Sequence, residues 1–363
     1  MTALWGWGLN GFWELGVGDD ESRTRPTLVQ APNLASVLTT DQRSFGIGAD
    51  GVLWTWGDEV GGRLGLSDSD GHAARPMEVG ILRGHIASAV ASGKDYTYAR
   101  IRIDGSWEWV WWGRGRNAFL TSMGQSNGLA FTAPTVFPFS DLSTVTAFWD
   151  ESIATTHDGR VFTWRPNDGE ASMTEVVGFL SPVVQVETHG GDAAALDDQG
   201  RVYFWKLEHR WVEALQPFSE ELQPYFASRP EYVHLDRVPR RVFTDARARF
   251  SSIRLTSGGA LLALNQTGEV WAAGPNRPWA MAGVEEARWV NGARLAGLPA
   301  VIQVGGSKVR GFALDTGGRV WTWGTSLVPP TFDEAPDPIV VPELRDVVSI
   351  SADSGNFLAL SDI

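Results

Sequence analysis

The sequence predicts an all-β fold, a seven-bladed β-propeller, because a block of about fifty residues recurs along the chain. Six internal blocks each contain an apolar strand, a turn with glycine and a strand rich in aromatic residues. The turn glycines are Gly51, Gly105, Gly159, Gly200, Gly268 and Gly318. Glycine suits these turns because it adopts a positive φ at little steric cost. We therefore expect about four antiparallel strands per blade.

The seventh block is divided between the two ends of the chain. Residues 347–363 supply two apolar strands and stop where the other blocks turn, and residues 2–8 supply the missing aromatic strand. Pairing the two ends within one blade would close the ring and remove exposed strand edges. The prediction is a single domain over residues 1–363, interrupted by an inserted segment at about 206–249.

The spacing within the blocks is nearly constant. The position ten residues before the end of the second strand is apolar in every block except one. These positions are Val37, Val90, Val145, Val186, Arg254, Val304 and Ile350. Many tryptophans fall in the repeated aromatic strand, where we expect them to fill the space between neighbouring blades. They are Trp5, Trp7, Trp54, Trp56, Trp112, Trp164, Trp205, Trp271, Trp321 and Trp323.

The blocks resemble the regulator of chromosome condensation repeat family. Residues 54–57 and 321–324 both read Trp-Thr-Trp-Gly, and residues 62–65 read Gly-Arg-Leu-Gly, as that family's blades do. The resemblance covers nearly the whole chain, although the copies around Trp164, Trp205 and Trp271 lose the Trp-Gly and Leu-Gly elements. It implies a seven-bladed propeller in which one face is a recurrent protein-binding surface.

The composition excludes several classes of function. The formal net charge is −13 at pH 7, and phosphate binding needs a basic face, so we expect no nucleic-acid partner. A chain without cysteine has no disulfide, zinc–thiolate site or cysteine nucleophile, and this composition also favours a bacterial origin. Because no transmembrane run and no basic signal-peptide region is visible, we expect no membrane contact and a cytoplasmic location. Export by another route stays open.

No catalytic motif stands out in the sequence. Residues 6–11 read Gly-Trp-Gly-Leu-Asn-Gly, but they lie in a propeller strand rather than in a strand–helix unit, so dinucleotide binding is not expected. The six histidines are scattered, and no pair of carboxylates suggests a general acid and base. We expect no enzymatic activity, no cofactor and no stoichiometric metal.

The blocks differ most in the loop predicted between the first two strands. Packing fixes the residues of the framework and leaves those of the loops free to vary. The residues at these loop positions therefore differ either because they contact a partner or because nothing constrains them. The predicted partner-binding residues in this set are Asp41, Arg43, Lys94, Tyr96, Trp149, Glu151, Asp192, Lys308, Arg310 and Asn356. If Trp149 and Tyr96 are loop aromatics, replacing either with Ala should weaken binding and hardly change stability.

The inserted segment at about 206–249 lengthens one block well beyond the others, which is typical of a functional loop. It contains Trp211 and Tyr225, and its end is a basic strip that includes Arg240 and Arg241. We predict that these four residues also contact the partner. An alternative is that the strip pairs with the acidic surface of the propeller itself.

These observations predict a monomeric, non-enzymatic module that binds another protein, as an inhibitor or an immunity-type antagonist. One alternative is a guanine-nucleotide exchange factor for a small GTPase. Eukaryotic members of the resembling family perform that task with a protruding hairpin, although no residue here matches the hairpin. The second alternative is a lectin, in which tryptophans outside the framework stack on sugar rings. These are Trp13, Trp107, Trp149, Trp211, Trp279 and Trp289.

Overall fold

Seven four-stranded antiparallel sheets form the molecule, which confirms the predicted fold. The structure is a computed structural model that describes residues 1–66, 71–114, 130–165, 173–207, 238–244, 248–275, 289–307, 309–325 and 334–363. Within these ranges the regular elements are strands, apart from one short 3-10 turn at Gly80–Leu82. None of the described segments is a helix long and apolar enough to cross a membrane.

The first three blades follow the chain in order. Blade 1 contains β3 (Leu34–Thr39), β4 (Arg43–Gly48), β5 (Leu53–Asp58) and β6 (His72–Glu78). Blade 2 contains β7 (Ala87–Ser92), β8 (Tyr96–Ile103), β9 (Ser106–Arg114) and β10 (Ala130–Val136). Blade 3 contains β11 (Leu142–Phe148), β12 (Glu151–Thr156), β13 (Val161–Trp164) and β14 (Thr174–Val176).

The remaining four blades complete the ring. Blade 4 contains β15 (Val183–His189), β16 (Asp192–Asp197), β17 (Val202–Lys206) and β18 (Arg240–Val242). Blade 5 contains β19 (Phe250–Leu255), β20 (Leu261–Asn265), β21 (Val270–Pro275) and β22 (Trp289–Arg294). Blade 6 contains β23 (Val301–Gly306), β24 (Arg310–Asp315), β25 (Val320–Thr325) and β26 (Glu334–Val340). Blade 7 contains β27 (Val347–Asp353), β28 (Asn356–Asp362), β1 (Thr2–Gly8) and β2 (Arg23–Val29).

Blade 7 has the predicted split construction. The N-terminal strand β1 lies between β28 and β2, and its pairing with β28 runs without interruption from Thr2 opposite Asp362 to Gly8 opposite Asn356. The ring of Trp7 packs against both Phe357 and Phe312, which places the N-terminal strand in the interface with blade 6. The two chain ends therefore close the ring together.

The buried tryptophans join one blade to the next. Trp7, Trp56, Trp112, Trp164, Trp205 and Trp323 are buried as predicted, whereas Trp5, Trp54, Trp271 and Trp321 are half-buried. The indole of Trp56 donates a hydrogen bond to the carbonyl oxygen of Glu14 at 2.9 Å, and Trp112 donates to that of Arg63 at 3.2 Å. Each acceptor lies in a Leu-Gly turn of the preceding blade, so the repeated residues fix the contact between blades.

One predicted position needs correction. Ile253, not Arg254, occupies the repeated apolar position, because Ile253 pairs with Ala263 as Val304 pairs with Ala313 in the next blade. The loop between β19 and β20 is longer than its equivalents, so a fixed count of ten residues falls one place too late. Arg254 is instead paired with Glu187 of β15 at 3.2 Å.

Candidate protein-binding face

The loops between the first and second strands gather at one end of the ring of blades. The first strands of blades 1 to 5 and 7 line a central channel with a volume of about 370 Å³. All seven blades have the same strand order, so these loops meet at one mouth of the channel. We call them the loop ring, and their described residues are 40–42, 93–95, 149–150, 190–191, 256–260, 307, 309 and 354–355.

The structure corrects the location of several predicted contact residues. Six of the ten residues predicted to lie in these loops are the first residues of second strands, and five of their side chains are buried: Arg43, Tyr96, Glu151, Asp192 and Asn356. Arg310 is half-buried at the start of β24. The third strand passes so close here that a Cβ on Gly57 would lie 2.6 Å from the Cα of Arg43. These side chains therefore point into the blades rather than outward.

Tyr96 shows this correction most clearly. Its ring is fully buried and packs edge-on against Tyr98, and its hydroxyl group donates to the carbonyl oxygen of Glu151 at 3.4 Å. Burial raises the pKa of the Tyr96 phenol well above its ordinary value. Tyr96 is therefore a core residue between blades 2 and 3, and the interpretation of it as a loop aromatic is wrong.

Lys94 and Trp149 form an exposed pair in the loop ring. The amide of Lys94 donates to the carbonyl oxygen of Trp149 at 2.8 Å, which ties the loops of blades 2 and 3 together. The ammonium group of Lys94 lies 4.6 Å from the centre of the Trp149 ring, within the range of a cation–π contact. The Trp149 side chain remains 39% exposed. An aromatic ring and a charge are thus presented together beside the channel.

Two buried arginines support this exposed pair from inside the blades. Arg43 donates to the carbonyl oxygen of Lys94 at 2.7 Å and to Ser92 at 3.1 Å, and Arg63 donates to the same carbonyl at 2.5 Å. Arg63 is also paired with Asp58. Burial, and then the nearby charge of Arg63, lower the pKa of Arg43 to about 9, so the guanidinium remains charged at neutral pH. The backbone of Lys94 is therefore fixed in position.

Trp149 adopts a backbone conformation that bulky residues avoid. Its φ is 50°, in the left-handed region. The equivalent two-residue turn of blade 4 consists of Gly190 and Gly191, which reach φ values of 57° and 85° without strain. A left-handed residue with a Cβ costs about 1–2 kcal/mol. Blade 3 thus places a tryptophan where the neighbouring blade has glycine.

Three buried carboxyl groups have raised pKa values and accept hydrogen bonds from the backbone of turns. Burial raises the pKa values of Glu14, Glu59 and Glu151 to about 7. Such shifts can mark active sites, but here each carboxylate accepts backbone N–H groups. Glu14 accepts from Phe12, Glu59 from Leu64 and Leu66, and Glu151 from Gly191. Their arrangement indicates that they stabilise turns.

Polar side chains bridge the channel near the loop ring. His189 of β15 contacts Asp353 of β27, with 3.2 Å between Nε2 and Oδ1, although two blades separate these strands around the ring. The His189 ring also stacks on Phe148, with 3.4 Å between ring centres. Among the described residues, no group of three or more acidic or histidine side chains is arranged to hold a metal.

The remaining predicted residues lie elsewhere or outside the described ranges. Arg240 and Arg241 are exposed on β18, at the outer edge of blade 4. Lys206, which precedes the undescribed part of the insertion, pairs with Asp192, so the insertion leaves the blade at the loop ring. Trp211, Tyr225, Trp279 and Lys308 lie outside the described residues. Of the other tryptophans outside the framework, Trp13 stacks on His72 and Trp107 is 39% exposed.

Several residues of this face were not among those predicted from the sequence. Asp95 and Asp150 neighbour predicted positions in the same short loops, and Arg63 lies in the quoted Gly-Arg-Leu-Gly turn. Comparison of that turn with residues 11–16, where Glu14 takes the place of Arg63, is a signal that could have found it. His189 and Asp353 are 164 residues apart and carry no local signal.

The fold and the face define a class of protein: a repeat-built, seven-bladed propeller with its variable loops on one face. The model of the regulator of chromosome condensation (RCC1) repeat matches residues 50–100. Together with the seven blades, this match confirms the predicted resemblance, and the chain is a seven-bladed propeller in which residues 50–100 match the RCC1 repeat.

Characterised proteins share part of the sequence. The ultraviolet-B receptor UVR8 of Arabidopsis thaliana is 26% identical over 199 residues, which cover 53% of this chain and 43% of the receptor. The E3 ubiquitin-protein ligase HERC2 of Homo sapiens is 27% identical over 175 residues, which cover 46% of this chain and 3% of the ligase. The chain thus spans less than half the length of these relatives.

Solved structures share the whole fold at low identity. Prp20p from Saccharomyces cerevisiae superposes with a TM-score of 0.79 at 16% identity, covering 100% of this chain and 92% of that one. Human WBSCR16 superposes with a TM-score of 0.75 at 16% identity, covering 100% and 99%. At such identities the likeness shows the fold alone. The relatives named here are eukaryotic, so the bacterial origin stays a prediction.

Proposed function

We propose that this chain is a non-catalytic propeller that binds another protein through the loop ring, as an inhibitor or antagonist of that protein. The observation that carries the proposal is Trp149, an exposed aromatic residue with a positive φ at the channel mouth. Strained positions of this kind cluster at functional sites. Tryptophan is also among the residues that dominate protein interfaces.

The roles of the neighbouring residues follow from their burial. Lys94 and Trp149, with Asp41 at the edge, would touch the partner. Arg43, Tyr96, Glu151, Asp192 and Asn356 would support the loops from inside the blades. The proposal thus divides the predicted site residues into contacting and positioning groups, and Arg310 belongs with the second group. Trp211, Tyr225 and Lys308 stay predicted contacts of the same face.

A protein partner is further supported by proteins that share the fold. Prp20p is described by its binding properties to Gsp1p and histones, and yeast RCC1 (Prp20) has been crystallised with Kap60 bound. These observations favour protein binding over catalysis for the present chain. They also keep the exchange of guanine nucleotide on a small GTPase as the second candidate function. We expect the chain to act as a monomer in the cytoplasm.

The experiment compares two tryptophans of equal exposure at opposite ends of the blades. Trp149 and Trp107 are each 39% exposed, and each has a cationic side chain over its ring. The immobilised chain captures its partner from the native source, and mass spectrometry identifies the bound protein. Trp149→Gly should abolish the specific capture, while Trp107→Gly should retain it.

The contrary results are equally informative. If Trp149→Gly captures the partner as well as the unaltered chain does, the loop ring is not the binding face. A double replacement, Arg240→Ala with Arg241→Ala, that alone abolishes capture would move the site to the insertion. A captured small GTPase whose nucleotide release the chain accelerates would favour the exchange factor. Binding on a glycan array that depends on Trp149 would favour the lectin.

A further inference from the structure

Trp149 already receives a cation from its own chain. The ammonium group of the exposed Lys94 lies 4.6 Å from the ring centre, and the hydrogen bond between the two backbones holds both residues in register. The negative face of an indole ring is the best aromatic surface for a cation. The ring is therefore oriented to accept a positive charge from the side of the loop ring.

The surrounding loop residues are mostly acidic. Asp41, Asp95 and Asp150 are partly exposed in the loops of blades 1, 2 and 3, and Lys94 is the one lysine or arginine in these three loops. Within the described residues, the carboxylates of Asp41 and Asp95 make no ion pair and no side-chain hydrogen bond. Both lie close enough to Arg43 to raise its pKa, so they flank the same point. A partner thus meets an aromatic ring among carboxylates.

The buried arginines do not change the preference of this surface for a cationic group. Arg43 and Arg63 are only 3% and 5% exposed, and both donate to the carbonyl oxygen of Lys94. A carboxylate from a partner could reach them only if the Lys94 loop moved away. In the loops of blades 1, 2 and 3, the partly or fully exposed charged side chains are therefore those of the aspartates and of Lys94.

We propose that the partner presents a lysine or arginine side chain to Trp149, and that this cation replaces Lys94 on the ring. The aspartates on either side would then pair with the incoming charge. Lys94 acts in the free chain as an internal substitute that keeps the ring face covered. This inference rests on the proposed function, because it names the chemistry of the partner at the same face.

Replacement of Lys94 makes the proposal sharply testable. In Lys94→Gln the ring loses its internal cation and the loop becomes more negative, so a cationic partner should bind more tightly. An anionic partner would lose the positive charge of these three loops and bind more weakly. Lys94 makes its described hydrogen bonds through the backbone, so this variant keeps the loop conformation.

The probe is a short peptide of alternating glycine and arginine, with citrulline or glutamate in place of arginine in two control peptides. Binding is measured by calorimetry at low and moderate salt. We expect the arginine peptide to bind, Lys94→Gln to tighten its binding by about two- to five-fold, and Trp149→Gly to abolish it. A double variant, Asp41→Asn with Asp95→Asn, should weaken binding and flatten its salt dependence.

Several results would overturn the inference. These are equal binding of the citrulline peptide, preference for the glutamate peptide, no binding of the arginine peptide, or weaker binding by Lys94→Gln. Capture of the native partner that depends on Trp149 but falls in Lys94→Gln would refute the cationic contact and leave the proposed function intact. Capture that is indifferent to Trp149 would refute the proposed function itself.

Discussion

Trp149 combines three properties that rarely occur in one residue. It is large and apolar, it is 39% exposed, and its backbone has a positive φ. Ser354 also has a positive φ in the equivalent turn of blade 7, but its side chain is small and forms a local hydrogen bond to Asp353. The strain at Trp149 has no such local compensation from a small polar side chain. The proposed contact with another molecule would account for this strain.

We expect Trp149→Gly to separate stability from binding. Glycine adopts the left-handed conformation freely, so the variant should unfold within about 1 kcal/mol of the unaltered chain or be slightly more stable. Loss of the ring should weaken partner binding by about 2 kcal/mol. Urea unfolding and calorimetry measure the two effects. A large loss of stability would show that the ring serves the fold instead.

Tyr96→Ala should have the opposite effect. The ring is fully buried against Tyr98, so its removal should leave a cavity and lower the free energy of unfolding by about 3–5 kcal/mol. Tyr96→Phe keeps the ring and loses the hydroxyl hydrogen bonds, so it should cost about 1 kcal/mol. If Tyr96→Ala unfolds like the unaltered chain, the burial described here is incorrect.

Glu14 should make stability depend on pH. Its pKa is raised by burial from 4.5 to about 7, so the folded state binds the proton more tightly than the unfolded state does. The stabilisation that results from this tighter proton binding is complete below pH 4.5 and is lost as the pH rises through 7. As the pH rises from 5 to 8, the free energy of unfolding of Glu14→Gln should therefore increase by about 2 kcal/mol relative to that of the unaltered chain. Urea unfolding across this range measures the gain.

A difference between Glu14→Gln and the unaltered chain that stays constant across this pH range would mean that the Glu14 carboxyl group titrates alike in the folded and unfolded chain.

At the scale of the strand, the Trp-Gly step fixes how the third strand passes the second. Gly57 has a φ of 108°, and a Cβ there would lie 2.6 Å from the Cα of Arg43. Gly57→Ala should therefore cost about 2 kcal/mol or more in the free energy of unfolding. Gly11→Ala is the matched control, because a Cβ at Gly11 meets no atom within 4 Å. Thermal unfolding of both variants gives the comparison.

The strands could be predicted because their signals are local. Alternating apolar residues and glycine turns specify each hairpin, and repetition in every block removes ambiguity. The position of Ile253 was missed because one longer loop shifts the count, and sequence spacing alone does not reveal which loop has grown. Burial at Arg43 and Tyr96 was missed because it depends on the neighbouring blade, which the repeat does not specify residue by residue.

At the scale of the whole molecule, closure depends on the N-terminal strand. β1 is an inner strand of blade 7, and Leu4 and Trp7 are buried in the interfaces on its two sides. Deleting residues 1–8 removes both side chains and leaves β2 without the strand that it pairs with. We expect a substantial fall in the melting temperature. A truncated chain that melts like the intact one would refute the split-blade closure.

Circular permutation tests the same closure without removing a residue. The chain ends already meet, since the amide of Ile363 donates to the carbonyl oxygen of Met1 at 3.0 Å. A short Gly-Ser linker can therefore join them, and new ends can be opened at Gly84, an exposed residue between β6 and β7. Every blade then becomes continuous in sequence, and the same strands pair as before.

Calorimetric melting of this permutant should give a transition within a few degrees of the original. A permutant that also lacks residues 1–8 should melt at as low a temperature as the simple truncation. If the permutant melts well below the original, the order of the chain matters beyond its pairing, and closure of blade 7 is not a matter of strand pairing alone.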